Sequence, residues 1–234
     1  MKKYIVIEGI DTTGKSTQIA LLQGRYKHAI FTKEPSDSDF GNAIRALALH
    51  GNLSNLTQCM LFLADRAHHT QTRIAPNAHR LIISDRSLIS GIAYAESLDF
   101  ELALQINRAV AKMPDLAVIL ETNEAILRER LSQKENDNIE SRGIAYLLEV
   151  QNRIIKTAHF LGVKTLQIPC DKPKDEILEI ICDEIDSIKS CDSGDSKSCD
   201  SGDSKSCDSG DSKSCDSGDS KSCDSGKSCD SKSH

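Results

Sequence analysis

Gly9-Ile10-Asp11-Thr12-Thr13-Gly14-Lys15-Ser16 follows directly on Tyr4-Ile5-Val6-Ile7-Glu8 and is itself followed by Thr17 and a run of helix formers. The short apolar run reads as a buried strand, because it is rich in β-branched residues and ends at a glycine. Residues 15–26 read as a helix. The spacing G-x-x-x-x-G-K-[ST] between a strand and a helix is a phosphate-binding loop. Its glycines allow the backbone to wrap an anion, so that N–H groups and the helix N-terminus face the negative charge. Lys15 then reaches the β- and γ-phosphates of a nucleoside triphosphate, and the Ser16 hydroxyl is placed to ligate Mg2+. The whole segment Gly9, Ile10, Asp11, Thr12, Thr13, Gly14, Lys15, Ser16 and Thr17 is expected to line the triphosphate.

Outward from this loop, buried strands and helices alternate. Strands are expected over residues 28–32, 81–84, 116–120 and 163–168. Helices are expected over 40–49, 55–75, 88–97, 100–112, 123–132, a stretch reaching 161, and 173–186. This alternation implies βαβ units, hence an α/β fold with a mostly parallel sheet of about five strands and helices on both faces. Ligands of such sheets bind beyond the carboxyl ends of the strands. Glu34-Pro35 and Asp85-Arg86 lie there, beside the loop. A strand-end carboxylate such as Asp85 supports Mg2+ through water in this class of site.

Composition divides the 234 residues in two. Residues 1–186 have the mixture expected of one compact domain. Residues 187–234 use almost only Ser, Asp, Lys, Gly and Cys and repeat Cys-Asp-Ser-Gly-Asp-Ser-Lys-Ser from Cys191. That unit has no apolar face to stack, so the tail is expected to be disordered. The formal charge of −6 is divided evenly between tail and domain. A mildly acidic chain lacks the basic field that sequence-independent nucleic-acid binding requires. Four apolar residues before Glu8 are too few for a signal core or a membrane span, so a cytoplasmic protein is expected. Cys59, Cys170 and Cys182 are isolated, with no metal-ligand spacing.

Five motifs in order give the chain a resemblance to the thymidylate kinase family, over residues 3–186. They are Glu8–Thr17; Thr32-Lys33-Glu34-Pro35; Leu61-Phe62-Leu63-Ala64-Asp65-Arg66-Ala67; Asp85-Arg86-Ser87-Leu88-Ile89-Ser90 with Ala93-Tyr94; and Pro114-Asp115-Leu116. The resemblance implies phosphoryl transfer from Mg2+-bound ATP to dTMP, giving dTDP, by a homodimer. It implies that Arg45 and Arg86 hold the acceptor phosphate, that Asp11 meets the sugar 3′-hydroxyl, and that Tyr94 packs under the sugar. Glu34, Pro35, Phe62, Arg66 and Ser90 would complete the acceptor site. Phe62 and Arg66 stand one helical turn apart, so a stacking ring and a base-edge donor share a face. The expected catalytic group is Lys15, Arg86, Asp11 and Arg142.

The family pattern is departed from in three places. Ser36-Asp37-Ser38 stands where Gly-Gly-Thr is usual, Thr12 where Arg or Gly is common, and Asp137-Asn138-Ile139-Glu140 lacks the arginine of Asp-Arg-Ile-Glu. Lys134 and Arg142 are the cations left near that run. Two other readings stay open at this point: a kinase for another nucleoside monophosphate, and a non-enzymatic NTP-binding regulator that presents the tail.

Overall fold

The computed structural model describes residues 3–132 and 143–190. Five strands, β1 (Tyr4–Glu8), β2 (Ile30–Lys33), β3 (Ile82–Asp85), β4 (Leu116–Glu121) and β5 (Thr165–Pro169), form one sheet in the order β2-β3-β1-β4-β5. Every pairing is parallel. The register sets Ile7 beside Asp85 on one side and Val118 on the other. The strand order reverses at β1, and the phosphate loop leaves from its carboxyl end, where such sheets open a crevice.

Side chains alternate across a strand, and β1 shows what this does. Tyr4 and Val6 enter one core with Ile82, Ala117 and Ile119. Ile5 and Ile7 enter the opposite core with Ile83, Leu116, Val118 and Leu120. The first core is covered by α4 (Leu88–Ala93), α5 (Phe100–Val110) and α7 (Ile144–Phe160). The second is covered by α1 (Lys15–Arg25) and α8 (Lys174–Ser190). Helices α2 (Asp39–His50), α3 (Asn55–His69) and α6 (Glu124–Leu131) complete the set. Among the described residues no helix is long and apolar enough to cross a membrane, and no disulfide joins Cys59, Cys170 or Cys182 to one another.

Several element boundaries differ from expectation for identifiable reasons. The single helix expected over 55–75 ends at His69 and passes through a wider turn, Thr70–Ile74, into a tight turn, Ala75–Asn77. Pro76 has no N–H to continue the ladder. Helix α4 stops at Ala93 rather than reaching 97, and Asp99 caps α5 by accepting from the Glu101 and Leu102 N–H groups. At the other end of the chain α8 continues to Ser190, beyond the expected end at 186. Ile177, Ile181, Ile185 and Ile188 recur at helical spacing and all are buried in the second core. The first four residues assigned to the tail therefore belong to the folded part.

A chain ending at Asp186 should accordingly be less stable than one ending at Ser190. It loses the buried Ile188 side chain, about 2 kcal/mol, and the Lys189 ammonium that sits 4.4 Å from the Tyr26 ring centre. The melting midpoint of the shorter chain is expected to lie roughly 4–8 °C lower. Equal midpoints by circular dichroism would show that the last turn of α8 carries no packing.

Candidate active site

The phosphate loop is shaped by backbone that only its own residues permit. Gly9 has φ 142°, and a Cβ there would stand 2.7 Å from the Leu120 carbonyl oxygen. Gly14 has φ 93° and begins α1. Thr12 also has a positive φ, 69°, which is strained for a β-branched residue. Its carbonyl is held by Arg130 Nη1 at 2.7 Å, and Arg130 Nη2 donates to the Cys170 carbonyl at 2.9 Å. Thr13 Oγ1 and Lys15 Nζ both donate to the Ile10 carbonyl, at 2.9 and 2.8 Å. Ser16 and Thr17 are exposed at the start of α1, the end of a helix that attracts an anion.

Lys15 is buried, and burial together with the nearby Arg86 charge lowers its ammonium to about 8. The carboxylates of Asp11, Asp85 and Glu8 oppose that shift only in part. A lysine in this condition is short of negative partners, which is the state a triphosphate corrects.

Arg86 sits on the other side of the loop, at the end of β3. Its φ is 70°, held by its own N–H donating to the Ile7 carbonyl at 3.0 Å and its carbonyl accepting from Ser84 Oγ at 2.8 Å. The twist aims the guanidinium back at the loop. Nη2 donates to Asp11 Oδ1 at 2.7 Å, and Nη1 reaches the Gly9 carbonyl and Ser90 Oγ at 3.3 and 3.2 Å. The charge centre lies 5.4 Å from the Tyr94 ring centre. Burial works against the charge, but Tyr94, Asp11, Glu8 and Asp85 outweigh it and Arg86 stays protonated. Behind it Glu8 is fully buried and accepts from Ser87 Oγ at 2.6 Å and Ser90 Oγ at 2.5 Å. Burial lifts the Glu8 carboxyl above the usual range, and the two serine donors offset part of that lift. Asp85 Oδ1 is buried with no hydrogen-bond partner.

A cavity of about 240 Å³ opens from this point between α3, α4 and α5. Asp11, Glu34, Pro35, Arg45, Phe62, Arg66, Arg86, Ser90 and Tyr94 all line it, so every residue expected on the acceptor side is brought to one place. Their condition is not uniform. Arg45 is exposed and Phe62 half-buried, whereas Arg66 is buried. Arg66 is not a free base-edge donor: Nε donates to Glu34 Oε2 at 2.7 Å and Nη1 to Asn107 Oδ1 at 2.7 Å. Burial would raise the Glu34 carboxyl, but Arg66 and then His69 outweigh it and hold it below the usual carboxylate range. Glu34 thus lines the cavity and holds Arg66 at one edge.

Residues that the sequence reading passed over complete the site. Asn107 is a lone polar residue on the buried face of α5, and only the packing of α5 against α3 gives it meaning. Arg130 and Glu8 are of the same kind, charges whose partners lie 118 and 79 positions away in the chain. The adjacent His68 and His69 differ in burial. His68 is exposed and stacks obliquely on Phe40, while His69 is buried with Nε2 2.5 Å from Thr32 Oγ1. The Ser36-Asp37-Ser38 departure has a use: Asp65 accepts from the Ser36 N–H and Oγ, both at 2.7 Å, and Ser38 caps α2. Lys134, the run 137–140 and Arg142 lie outside the described residues.

Residues 7–181 match the family model described as Thymidylate kinase. A thymidylate kinase of Helicobacter hepaticus is 45% identical over 190 residues, covering 78% of this chain and 97% of the relative. One of Wolinella succinogenes is 46% identical over 177 residues, covering 74% and 93%. The crystal structure of thymidylate kinase from Ehrlichia chaffeensis superposes with a TM-score of 0.57 at 24% identity, covering 71% of this chain and 92% of that one. At that identity the last comparison speaks to the fold alone.

The depressed Lys15 makes a pH prediction for triphosphate binding. Below about pH 8 the ammonium is already charged, and this group contributes no slope. Above it, binding must add a proton to Lys15, so apparent affinity should fall as pH rises, approaching tenfold per pH unit. Calorimetry in buffers of different ionisation enthalpy should detect proton uptake on binding above about pH 8. Lys15→Arg keeps its charge throughout and should remove the slope. A parent protein whose affinity is level through that range would show that Lys15 binds no proton there.

Proposed function

The chain belongs to the thymidylate kinase family and is an ATP-dependent nucleoside monophosphate kinase that converts dTMP to dTDP; from that premise we propose the residue roles, the metal and the assembly that follow. The observation that carries the proposal is the placement of Arg86, whose guanidinium joins the phosphate loop to the cavity through Asp11. ATP occupies the loop Gly9–Thr17, with its phosphates on the backbone N–H groups, Lys15 and the end of α1. The dTMP phosphate lies against Arg86 and Arg45, and its base enters the cavity between Phe62 and Arg66. Both substrates are anions, so their approach is opposed by Coulomb repulsion. Arginine forks that grip phosphate oxygens cancel that repulsion and set the line of attack.

The attacking atom is a phosphate oxygen already ionised at neutral pH, so no residue need take its proton. Catalysis is positioning and charge neutralisation. Asp11 holds Arg86 until the acceptor arrives and then meets the sugar 3′-hydroxyl beside it. Glu8 and Ser90 hold the guanidinium from behind.

The residues present fit Mg2+ brought in with the triphosphate. Among the described residues no group of three His, Cys, Asp or Glu side chains is placed to hold a metal alone. The exposed Ser16 hydroxyl and the unpartnered Asp85 Oδ1 suit an ion that keeps most of its water and its phosphate ligands. When bound, the ion neutralises charge on the β- and γ-phosphates. Arg142 supplies the remaining positive charge from the ATP side. The repeat tail takes no part in the reaction, and the protein works in the cytoplasm.

The acceptor base is tested by kcat/KM for dTMP, dUMP and dCMP. Arginine only donates hydrogen bonds, and thymine offers an acceptor, O4, where cytosine offers an amino donor. The missing methyl of dUMP should cost about tenfold, and dCMP should fall by orders of magnitude, because two facing donors leave both unpaired. Arg66→Gln should narrow the dTMP–dCMP gap chiefly by losing dTMP. Equal use of dCMP by the parent would overturn the assignment of the base pocket.

The protein functions as a homodimer. Phe40 and Leu47 on α2 and Leu56 on α3 are 45%, 52% and 46% exposed, on two helices that pack together. Apolar area of this kind is unfavourable in water and suits an interface. Light scattering should report twice the chain mass, and Leu47→Glu should yield monomers. A monomeric parent at micromolar concentration would exclude the dimer.

A further inference from the structure

Helix α4 has six residues, and Leu88, Ile89, Ile92 and Ala93 are all buried in the core. Ser90 and Gly91 interrupt this apolar run. Glycine is an unfavourable residue inside a helix because it has the most backbone freedom to lose. The conformation does not require it, since Gly91 is not among the residues with positive φ. Its reason lies in what stands opposite. A Cβ on Gly91 would lie 2.5 Å from Cζ, Nη1 and Nη2 of Arg66 alike. Three equal distances mean that the guanidinium presents its flat face to the Gly91 Cα.

The same guanidinium is held at its edges by Glu34 and Asn107. Glu34 is backed by His69, whose Nδ1 lies 3.6 Å from Oε1, and His69 is backed by Thr32. Arg66, Gly91 and Asn107 all line the acceptor cavity. We infer that Gly91 is a positioning residue for the acceptor base, acting through Arg66: it lets the guanidinium lie flat on α4, and so sets how much of the cavity is left for the base. This rests on the reading of the cavity as the acceptor site. Non-bonded atoms settle at about 3.5–4.0 Å, so a methyl group at residue 91 displaces the guanidinium by about 1 Å. Both edge partners are buried, and the displacement either breaks one of those bonds or moves the guanidinium into the space for the base.

The test uses the full chain and Gly91→Ala, alone and combined with Arg66→Lys, whose ammonium has no flat head to seat. Gly91→Ala should raise the KM for dTMP about tenfold or more, a misplacement near 1 Å being enough, with the KM for ATP unchanged. In the Arg66→Lys background the same change should add less than about twofold. The arginine Nε–H resonance, assigned by its loss in Arg66→Lys, should be slow to exchange in the parent and shifted and faster in Gly91→Ala. An unmoved resonance, or an equal rise in KM in both backgrounds, overturns the inference. If Gly91→Ala fails to fold, folding of the double variant supports the clash and failure of both overturns it. A parent that does not use dTMP, with the resonance still displaced by Gly91→Ala, refutes the acceptor assignment and leaves the seating of Arg66 standing.

Discussion

Arg86 and Asp11 meet at 2.7 Å, and the site is arranged around that contact. The pair ties the end of β3 to the loop after β1, across adjacent parallel strands whose register sets Ile7 beside Asp85. It also solves an electrostatic problem. A site for two polyanions must carry positive charge, yet before they bind it holds Lys15 and Arg86 in poorly hydrated surroundings. Asp11 gives Arg86 a partner, and the Glu8 and Asp85 carboxylates add to its stabilisation. Lys15 is left less well compensated, 4.0 Å from the same Asp11, and its depressed ammonium shows the cost. The unliganded site is thus balanced unevenly, with its deficit on the triphosphate side.

A second buried network borders the cavity. Glu34, Arg66, His69, Thr32 and Asn107 join β2, α3 and α5 through charged and polar contacts in the interior. Such networks seldom contribute much net stability, because desolvating both charges costs nearly what their attraction returns. They do penalise any rearrangement that leaves one charge alone. Arg66 is consequently fixed at the cavity wall, and in the proposed role of base ligand it would spare the binding step the entropy of ordering a long side chain. The glycine beneath its face and the asparagine at its edge belong to the same device.

Both networks depend on close approach of backbone to charge. Gly9 leaves no room for a side chain against Leu120, and Gly91 none against Arg66. Thr12 and Arg86 hold left-handed backbone that costs about 1–2 kcal/mol each. These local costs lie at the carboxyl edge of the sheet, while its three central strands are regular and buried. Strain therefore falls on the segments that face ligands, and the two apolar cores supply the stability that tolerates it.

The sequence by itself determined the sheet, the phosphate loop and which side chains gather at the cavity beside it. Those rest on local signals: β-branched runs, glycine spacing, and charges placed just after strands. It misjudged the ends of elements where capping or a single proline decides, as at Pro76, and the end of α8, whose isoleucine spacing runs on to Ile188 in a segment of tail-like composition. Only the tertiary structure decided what each charge touches. Phe62 and Arg66 share a helical turn, and their common face was legible. That Arg66 is held by a residue just after β2 and by one on α5 was not, because Glu34 and Asn107 are 32 and 41 positions away. Periodicity reports which side of a helix is buried. It carries no information about which of many distant polar groups will meet there, since that is settled by how the helices pack on the sheet.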